Sequence, residues 1–188
     1  MDEIKDFARR MRDELPVEFD AMPDIDLYMD QVLAFLSRKQ VSGRDGDSLT
    51  SAMINNYIKD GLVPRANGKK YSREHLVYLS LVARLKQVLS VKDMTVLLKK
   101  DIGDGQHAEY YAQFRQKLDD AFAQIAETPA ENESISRLAF EFALHSYASK
   151  VASEDLIDLL AARDADAAPA KAAAKAAAKK AKPEPKQG

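Results

Sequence analysis

Residues 49–71, LTSAMINNYIKDGLVPRANGKKY, are the most informative stretch of the chain. Thr50 is a good N-cap residue, because its hydroxyl can accept a hydrogen bond from the first helical turn. Gly61 stands where a residue in the left-handed conformation would end the same helix. We therefore predict a short helix from Thr50 to about Lys59.

A basic hairpin is predicted directly after this helix. Pro64 prevents the helix from restarting, and the pair Asn67 and Gly68 favours a tight turn between two short strands. Lysine, arginine and tyrosine flank this turn over residues 65–71. Ser72 then opens a further helix, whose apolar residues continue at helical spacing to Leu89.

Helical periodicity accounts for most of the remaining chain. Apolar residues at helical spacing predict further helices over residues 2–15, 24–40, 91–100, 106–127 and 131–160. A polar loop with two glycines is predicted over residues 42–47. The final Ala- and Lys-rich segment has no large apolar side chain, so we predict a tail that is helical in patches at most.

Positive charge is concentrated in the segment that carries the predicted hairpin. Residues 48–100 hold 10 Lys and Arg against 3 Asp and Glu, a net charge of +7, although the whole chain carries −2. Residues 1–47 and 101–168 carry −5 and −9, and residues 169–188 carry +5. Affinity for phosphate depends on where cations cluster, so the basic segment indicates nucleic-acid binding.

The composition argues against several classes of protein. The 188 residues include no cysteine, which excludes disulfides, thiolate metal sites and a cysteine nucleophile. His75, His107 and His145 are scattered and have no metal-ligand spacing. We therefore expect no enzyme activity, no cofactor and no metal. Without a signal peptide or an apolar run of about 18 residues, a cytoplasmic protein is expected, nucleoid-associated if it binds DNA.

The order of these features resembles the winged helix-turn-helix of the bacterial MerR regulator family. The resemblance covers about residues 49–98 and rests on Tyr57, Lys59, Asp60, Gly61, Leu62, Val63, Pro64, Asn67, Gly68, Lys70 and Tyr71. It implies that residues 50–59 form a DNA recognition helix and residues 65–71 a basic wing. Asn55 and Asn56 stand where that family usually carries an arginine and a tyrosine.

A closer resemblance, over about residues 16–150, is to the bacterial family catalogued as domain of unknown function 1836. It rests on PDIDLYMDQVLAFL, LTSAMINNYIKDGLVP and KKYSREHLVYLSLVARLKQVLSVKDM. The expected fold is mainly α: a MerR-like winged helix-turn-helix with a small β-hairpin wing, N- and C-terminal helices and a disordered Lys/Ala tail. The expected domains are an N-terminal helix and linker, the winged module, a C-terminal helical region and the tail, at residues 1–23, 24–100, 101–163 and 164–188.

The expected function is double-stranded DNA binding by a transcription regulator. A helix fits the major groove, where asparagine can pair with adenine, and cations at a hairpin tip contact phosphate without reading sequence. Ser51 and Asn55 lie one turn apart and can share an outward face. The candidate DNA-binding residues are Thr50, Ser51, Asn55, Asn56, Tyr57, Lys59, Arg65, Lys69, Lys70, Tyr71 and Arg73.

Two other functions stay open. The same scaffold could be a non-enzymatic protein-interaction adaptor, whose acidic C-terminal helices mimic a phosphate-rich surface. A ligand-sensing regulator would instead use a small pocket among Tyr110, Phe114, Phe142 and Tyr147. The Ala/Lys tail would add non-specific DNA affinity, be an inert solubilising linker, or fold back onto the acidic residues 101–168 and compete with DNA. A palindromic operator requires a dimer, and the aromatic stripe of residues 106–160 favours a homodimer through the C-terminal helices.

Overall fold

Six α-helices, one short 3-10 helix (Phe19–Ala21) and one two-stranded sheet are the regular elements of the described part of the chain, which confirms the mainly α prediction. The computed structural model describes residues 15–37, 48–102, 105–127 and 134–180, together with Arg10. The helices are α1 (Met29–Ser37), α2 (Ser51–Lys59), α3 (Arg73–Leu85), α4 (Val91–Asp101), α5 (His107–Ala126) and α6 (Ile135–Lys180), and the strands are β1 (Leu27–Tyr28) and β2 (Lys70–Tyr71). The helix predicted over residues 2–15 and the loop over 42–47 lie outside the described residues, apart from Arg10 and Leu15.

The helix predicted from residue 24 begins only at Met29, because the residues before it form β1. This strand pairs with β2 in an antiparallel sheet, with Leu27 opposite Tyr71. The backbone N–H of Tyr28 donates to Oε1 of Gln31 at 2.9 Å, which satisfies a donor at the helix start. A pairing with residues far along the chain therefore replaces the first predicted turn of helix.

The helix α2 begins and ends where its local signals place it. The hydroxyl of Thr50 accepts a hydrogen bond from the N–H of Met53 at 3.2 Å, so the predicted N-cap is confirmed. Gly61 has a φ of +75°, and the N–H of Leu62 donates to the carbonyl oxygen of Tyr57 at 2.9 Å. This is the Schellman closure of a helix end, and it directs the chain into the hairpin.

The tight turn of the predicted hairpin is present, displaced by one residue, but its two arms share only one bridge, and the strand β2 pairs with β1 instead. Asn67 and Lys70 lie opposite each other and exchange two backbone hydrogen bonds of 3.0 and 3.1 Å. The central residues are therefore Gly68 and Lys69 instead of Asn67 and Gly68. Gly68 has a φ of +64°, and Lys69 has a negative φ. Glycine at the first central position is the preference of type II′ hairpin turns.

One hydrophobic cluster joins α2, the sheet and the later helices. The apolar residues of α3 form its centre, and Ile54 of α2, Met94 of α4 and Tyr111 of α5 pack into the same cluster. Leu27 of β1 and Tyr71 of β2 also belong to it. The core therefore fixes α2 and the hairpin in one rigid arrangement.

Two helix ends differ from the prediction. The helix α3 ends at Leu85, and residues 86–89 form turns instead of continuing to Leu89. The helix α6 continues to Lys180, although a tail was predicted from residue 164. Alanine and lysine are strong helix formers, and extending an existing helix is much easier than nucleating one. A segment without large apolar residues can therefore prolong a helix that starts upstream.

His75 joins the hairpin to the start of α3. Its Nδ1 accepts a hydrogen bond from the backbone N–H of Ser72 at 3.0 Å, so the ring proton is assigned to Nε2. This Nε2 donates to the carbonyl oxygen of Arg65 at 3.2 Å. The ring also meets Tyr71 edge-on, at a centroid distance of 5.6 Å. One buried side chain therefore contacts the hairpin near both of its ends.

Replacing His75 with alanine should lower the free energy of unfolding by about 1 to 3 kcal/mol. The change removes a partner from the N–H of Ser72 and from the carbonyl of Arg65, and it leaves a gap beside Tyr71. Urea denaturation measures the loss. The control is His145→Ala, because that histidine side chain is 76% exposed and its loss should cost less than about 0.5 kcal/mol. Equal losses in the two variants would contradict the role given to His75.

Candidate nucleic-acid interface

The helix α2 has a buried face and a polar face. Ile54 and Tyr57 are only 0% and 5% exposed, whereas Ser51 and Asn55 are exposed. The four-residue spacing places Ser51 and Asn55 next to each other on the helix surface. The polar face of α2 is therefore accessible, and the core holds the helix from the other side.

The hairpin approaches this polar face. Ser51 and Asn55 of α2 line a concavity of about 630 Å³ together with Gly68 and Lys69 of the hairpin turn. Its other lining residues come from β1, α1 and β2, and they are Tyr28, Met29, Asp30, Leu33 and Tyr71. The structure thus brings two predicted parts of the site together on one surface, which we call the helix-hairpin surface.

Sequence reasoning missed the residues that β1 and α1 contribute to this surface. Tyr28 is 50% exposed, and Nζ of Lys70 lies 5.8 Å from the centre of its ring, within cation–π range. Tyr28 therefore adds an aromatic side chain beside the hairpin. The sequence gives no readable sign of β1, because the two residues Leu27 and Tyr28 are too few to show a period.

The remaining predicted residues divide by burial. Those that are exposed without lining the concavity are Thr50, Asn56, Lys59, Arg65 and Lys70. Tyr57 and Tyr71 are each 5% exposed, and burial raises the pKa of both hydroxyl groups above the ordinary value of 10.0. Both tyrosines are therefore core residues: Tyr57 supports the surface from below, and Tyr71 lines the concavity with little exposed area.

Arg73 is engaged within the protein. Its Nε donates to the carbonyl oxygen of Pro23 at 3.3 Å, and its guanidinium carbon lies 5.2 Å from the centre of the Phe19 ring. Both contacts tie the segment before β1 to the start of α3. Pro23 lies 50 residues before Arg73, so the spacing of residues near Arg73 gave no sign of this role.

The charge of the helix-hairpin surface is uneven. Lys69 lines the concavity, and Arg65 and Lys70 are exposed in the same hairpin. Asp30 lines the concavity on the side of α1. An anion would therefore be attracted to the hairpin and repelled from the start of α1.

Other kinds of site find little support in the described ranges. There, no group of three or more His, Asp or Glu side chains is placed to hold a metal ion. None of the described helices combines the length and apolar content needed to cross a bilayer. Tyr147 is 68% exposed, while Tyr110 and Phe114 pack against the core cluster. The exposed position of Tyr147 therefore gives no support to an enclosed pocket that includes it.

Comparison with known proteins gives one match. The family model described as Domain of unknown function (DUF1836) matches residues 17–118, which contain both strands, α1 to α4 and the first half of α5. No curated protein and no solved structure matches the chain. The whole helix-hairpin surface lies within the matched residues.

Proposed function

The chain belongs to the family described as Domain of unknown function (DUF1836); since that description names no activity, we propose a function from the residues of the helix-hairpin surface. The protein is a DNA-binding transcription regulator, and its α2 and hairpin act as a MerR-like winged helix-turn-helix. The helix α2 enters the major groove as the recognition helix, and the hairpin rests as a wing on the neighbouring phosphates.

One observation carries this proposal: Ser51 and Asn55 share a concavity with Lys69. A recognition helix needs exposed hydrogen-bonding side chains, and a wing needs cations beside them. Here the two requirements meet on one surface, and the core behind α2 and the hairpin holds them together.

The chemistry assigns separate roles to the two parts of the surface. The amide of Asn55 can pair with the N6 and N7 atoms of adenine, and such a contact discriminates against other bases by about 1 to 3 kcal/mol. Lys69, Lys70 and Arg65 neutralise phosphates without reading sequence. Asp30 disfavours phosphate at the start of α1, so the backbone contacts belong to the hairpin.

Reversing the charge of the hairpin should reduce both the DNA affinity and its salt dependence. We expect the slope of log K against log salt to fall by about 2 for Lys69→Glu combined with Lys70→Glu, because each lysine releases about one counterion. The probe is a labelled duplex chosen from genomic fragments that co-precipitate with the protein. Fluorescence anisotropy over a range of salt concentrations measures the slope.

A matched variant separates a local effect from a change in net charge. Lys92 on α4 and Lys117 on α5 are exposed, and neither lines the concavity. Lys92→Glu combined with Lys117→Glu should keep a slope close to that of the unaltered protein. If the two double variants have equal slopes of log K against log salt, the hairpin does not act as a phosphate-contacting wing. If the unaltered protein binds no fragment at low salt and a partner protein is recovered instead, the adaptor function replaces the regulator.

A further inference from the structure

The helix α6 carries most of the exposed apolar surface. Seven of the ten exposed large hydrophobic side chains among the described residues lie on this helix. Its 46 residues extend for roughly 70 Å, and among the described α6 side chains Ile157 joins the core cluster. Single exposed apolar residues are ordinary, whereas a continuous apolar patch marks an interaction site.

Four of these residues form a continuous stripe. They follow one another at steps of four, three and four residues, which places them on one side of the helix. Ile157 lies about a third of a turn around the helix from the stripe, so the packing of Ile157 leaves the stripe uncovered. The stripe consists of Phe140, Leu144, Tyr147 and Val151, which are 65%, 52%, 68% and 38% exposed.

The steps between the stripe residues are symmetric, because they are four, three and four residues. The two residues that flank the stripe carry charges of opposite sign. Arg137 lies three residues before Phe140, and Glu154 lies three residues after Val151. Glu154 forms an ion pair with Lys150 of its own helix at 3.4 Å, and in an antiparallel pair of these helices Arg137 of each copy also faces this carboxylate in the other. A parallel pair would place like charges opposite each other at both ends, which is unfavourable.

We propose that α6 is a dimerisation helix and that its occupant is a second, antiparallel copy of the same helix. The two-fold axis passes between Leu144 and Tyr147, so Leu144 faces Tyr147 of the second copy and Phe140 faces Val151. The symmetric spacing of the stripe lets two copies pair with each other. The opposite charges of Arg137 and Glu154 favour the antiparallel orientation of the two helices. The contact concerns a surface away from the helix-hairpin surface, so it stands whether or not the protein binds DNA.

The size of the stripe sets the expected strength of the dimer. With side-chain areas of about 150 to 200 Å² each, the exposed fractions amount to roughly 400 Å² per copy. This is below the roughly 800 Å² per partner of a standard stable interface. We therefore expect a reversible dimer with a dissociation constant on the order of micromolar.

Sedimentation of the full chain tests the dimer directly. The mass should rise with concentration from 20.9 kDa to twice that value. Leu144→Glu should leave a monomer at every concentration, because two carboxylates would be buried at the two-fold axis. Leu156→Glu is the matched control, since that leucine is also exposed, at 65%, but lies off the stripe, and it should still dimerise. A monomeric unaltered chain, or a dimer that survives Leu144→Glu, overturns the proposal.

Cross-linking through introduced cysteines tests the orientation of the two helices. Because the chain has no cysteine of its own, every disulfide must join introduced residues. A mixture of Phe140→Cys and Val151→Cys chains should form a disulfide-linked heterodimer under mild oxidation. Phe140→Cys alone should not link to itself, because the two copies of that residue lie roughly 16 Å apart along the helices. Efficient self-linking of Phe140→Cys would instead establish a parallel pair and overturn the antiparallel arrangement.

Discussion

Replacing Tyr111 with alanine should lower the free energy of unfolding by about 3 to 5 kcal/mol. This side chain is 0% exposed, and its hydroxyl donates to the carbonyl oxygen of Val17 at 2.9 Å. The loss of the ring would open a cavity in the core and release the segment before β1 from α5. Because domains of this size are stable by only about 5 to 15 kcal/mol, thermal melting followed by circular dichroism should show a large drop in Tm.

Tyr111→Phe isolates the contribution of the hydroxyl, with an expected loss of about 1 to 2 kcal/mol. Burial raises the pKa of Tyr111 above the ordinary 10.0, against smaller opposing effects of the hydrogen bond with Ser80 and the charges of Arg84 and Arg115. The unfolded chain therefore loses this proton first, so the stabilisation is full below pH 10 and decreases as the pH rises above it. Tyr111→Phe should flatten that alkaline decline in Tm.

The control for the hydroxyl is Tyr147→Phe, because Tyr147 is 68% exposed. It should leave the Tm at neutral pH unchanged, and it keeps the aromatic ring of the α6 stripe. The same loss in both phenylalanine variants would show that the hydrogen bond to Val17 does not stabilise the fold.

The parts of the fold that the sequence predicted well depend on neighbouring residues. Thr50 and Gly61 determine the ends of α2 through hydrogen bonds within a few residues of each helix end, and such signals are local. The hairpin follows from Gly68, although the favoured Asn-Gly turn is displaced by one residue. In the same way, helical spacing predicted the exposed face with Ser51 and Asn55, whereas Tyr57, which was predicted to contact DNA, is buried.

The parts that the sequence did not predict depend on contacts between distant residues. The strand β1 exists because it pairs with β2 more than 40 residues later, and two residues carry no readable period. Without that pairing, Tyr28 and Asp30 could not be assigned to the helix-hairpin surface. Arg73 was assigned to DNA by charge, but Phe19 and Pro23 hold it in place, and charge patterning does not reveal such partners.

The division of α2 into two faces leads to opposite expectations for two adjacent residues. Ile54→Ala removes a side chain that is 0% exposed, so it should lower the free energy of unfolding by about 2 to 4 kcal/mol. Asn55→Ala changes an exposed side chain, so its stability should stay within about 0.5 kcal/mol of the unaltered protein. Urea denaturation measures both variants.

For DNA binding we expect the opposite: Asn55→Ala should have a larger effect than Ile54→Ala. Asn55→Ala should weaken binding to a preferred duplex by about 10- to 100-fold, because the proposed amide contact with adenine would be lost, and binding to unrelated duplexes should barely change. Ile54→Ala, measured at low temperature where it stays folded, should keep the preference of the unaltered protein, because its polar face is intact. Anisotropy titrations with preferred and scrambled duplexes give both ratios. If Asn55→Ala keeps the full preference, α2 is not the element that reads the bases, and sequence discrimination must be sought elsewhere on the helix-hairpin surface.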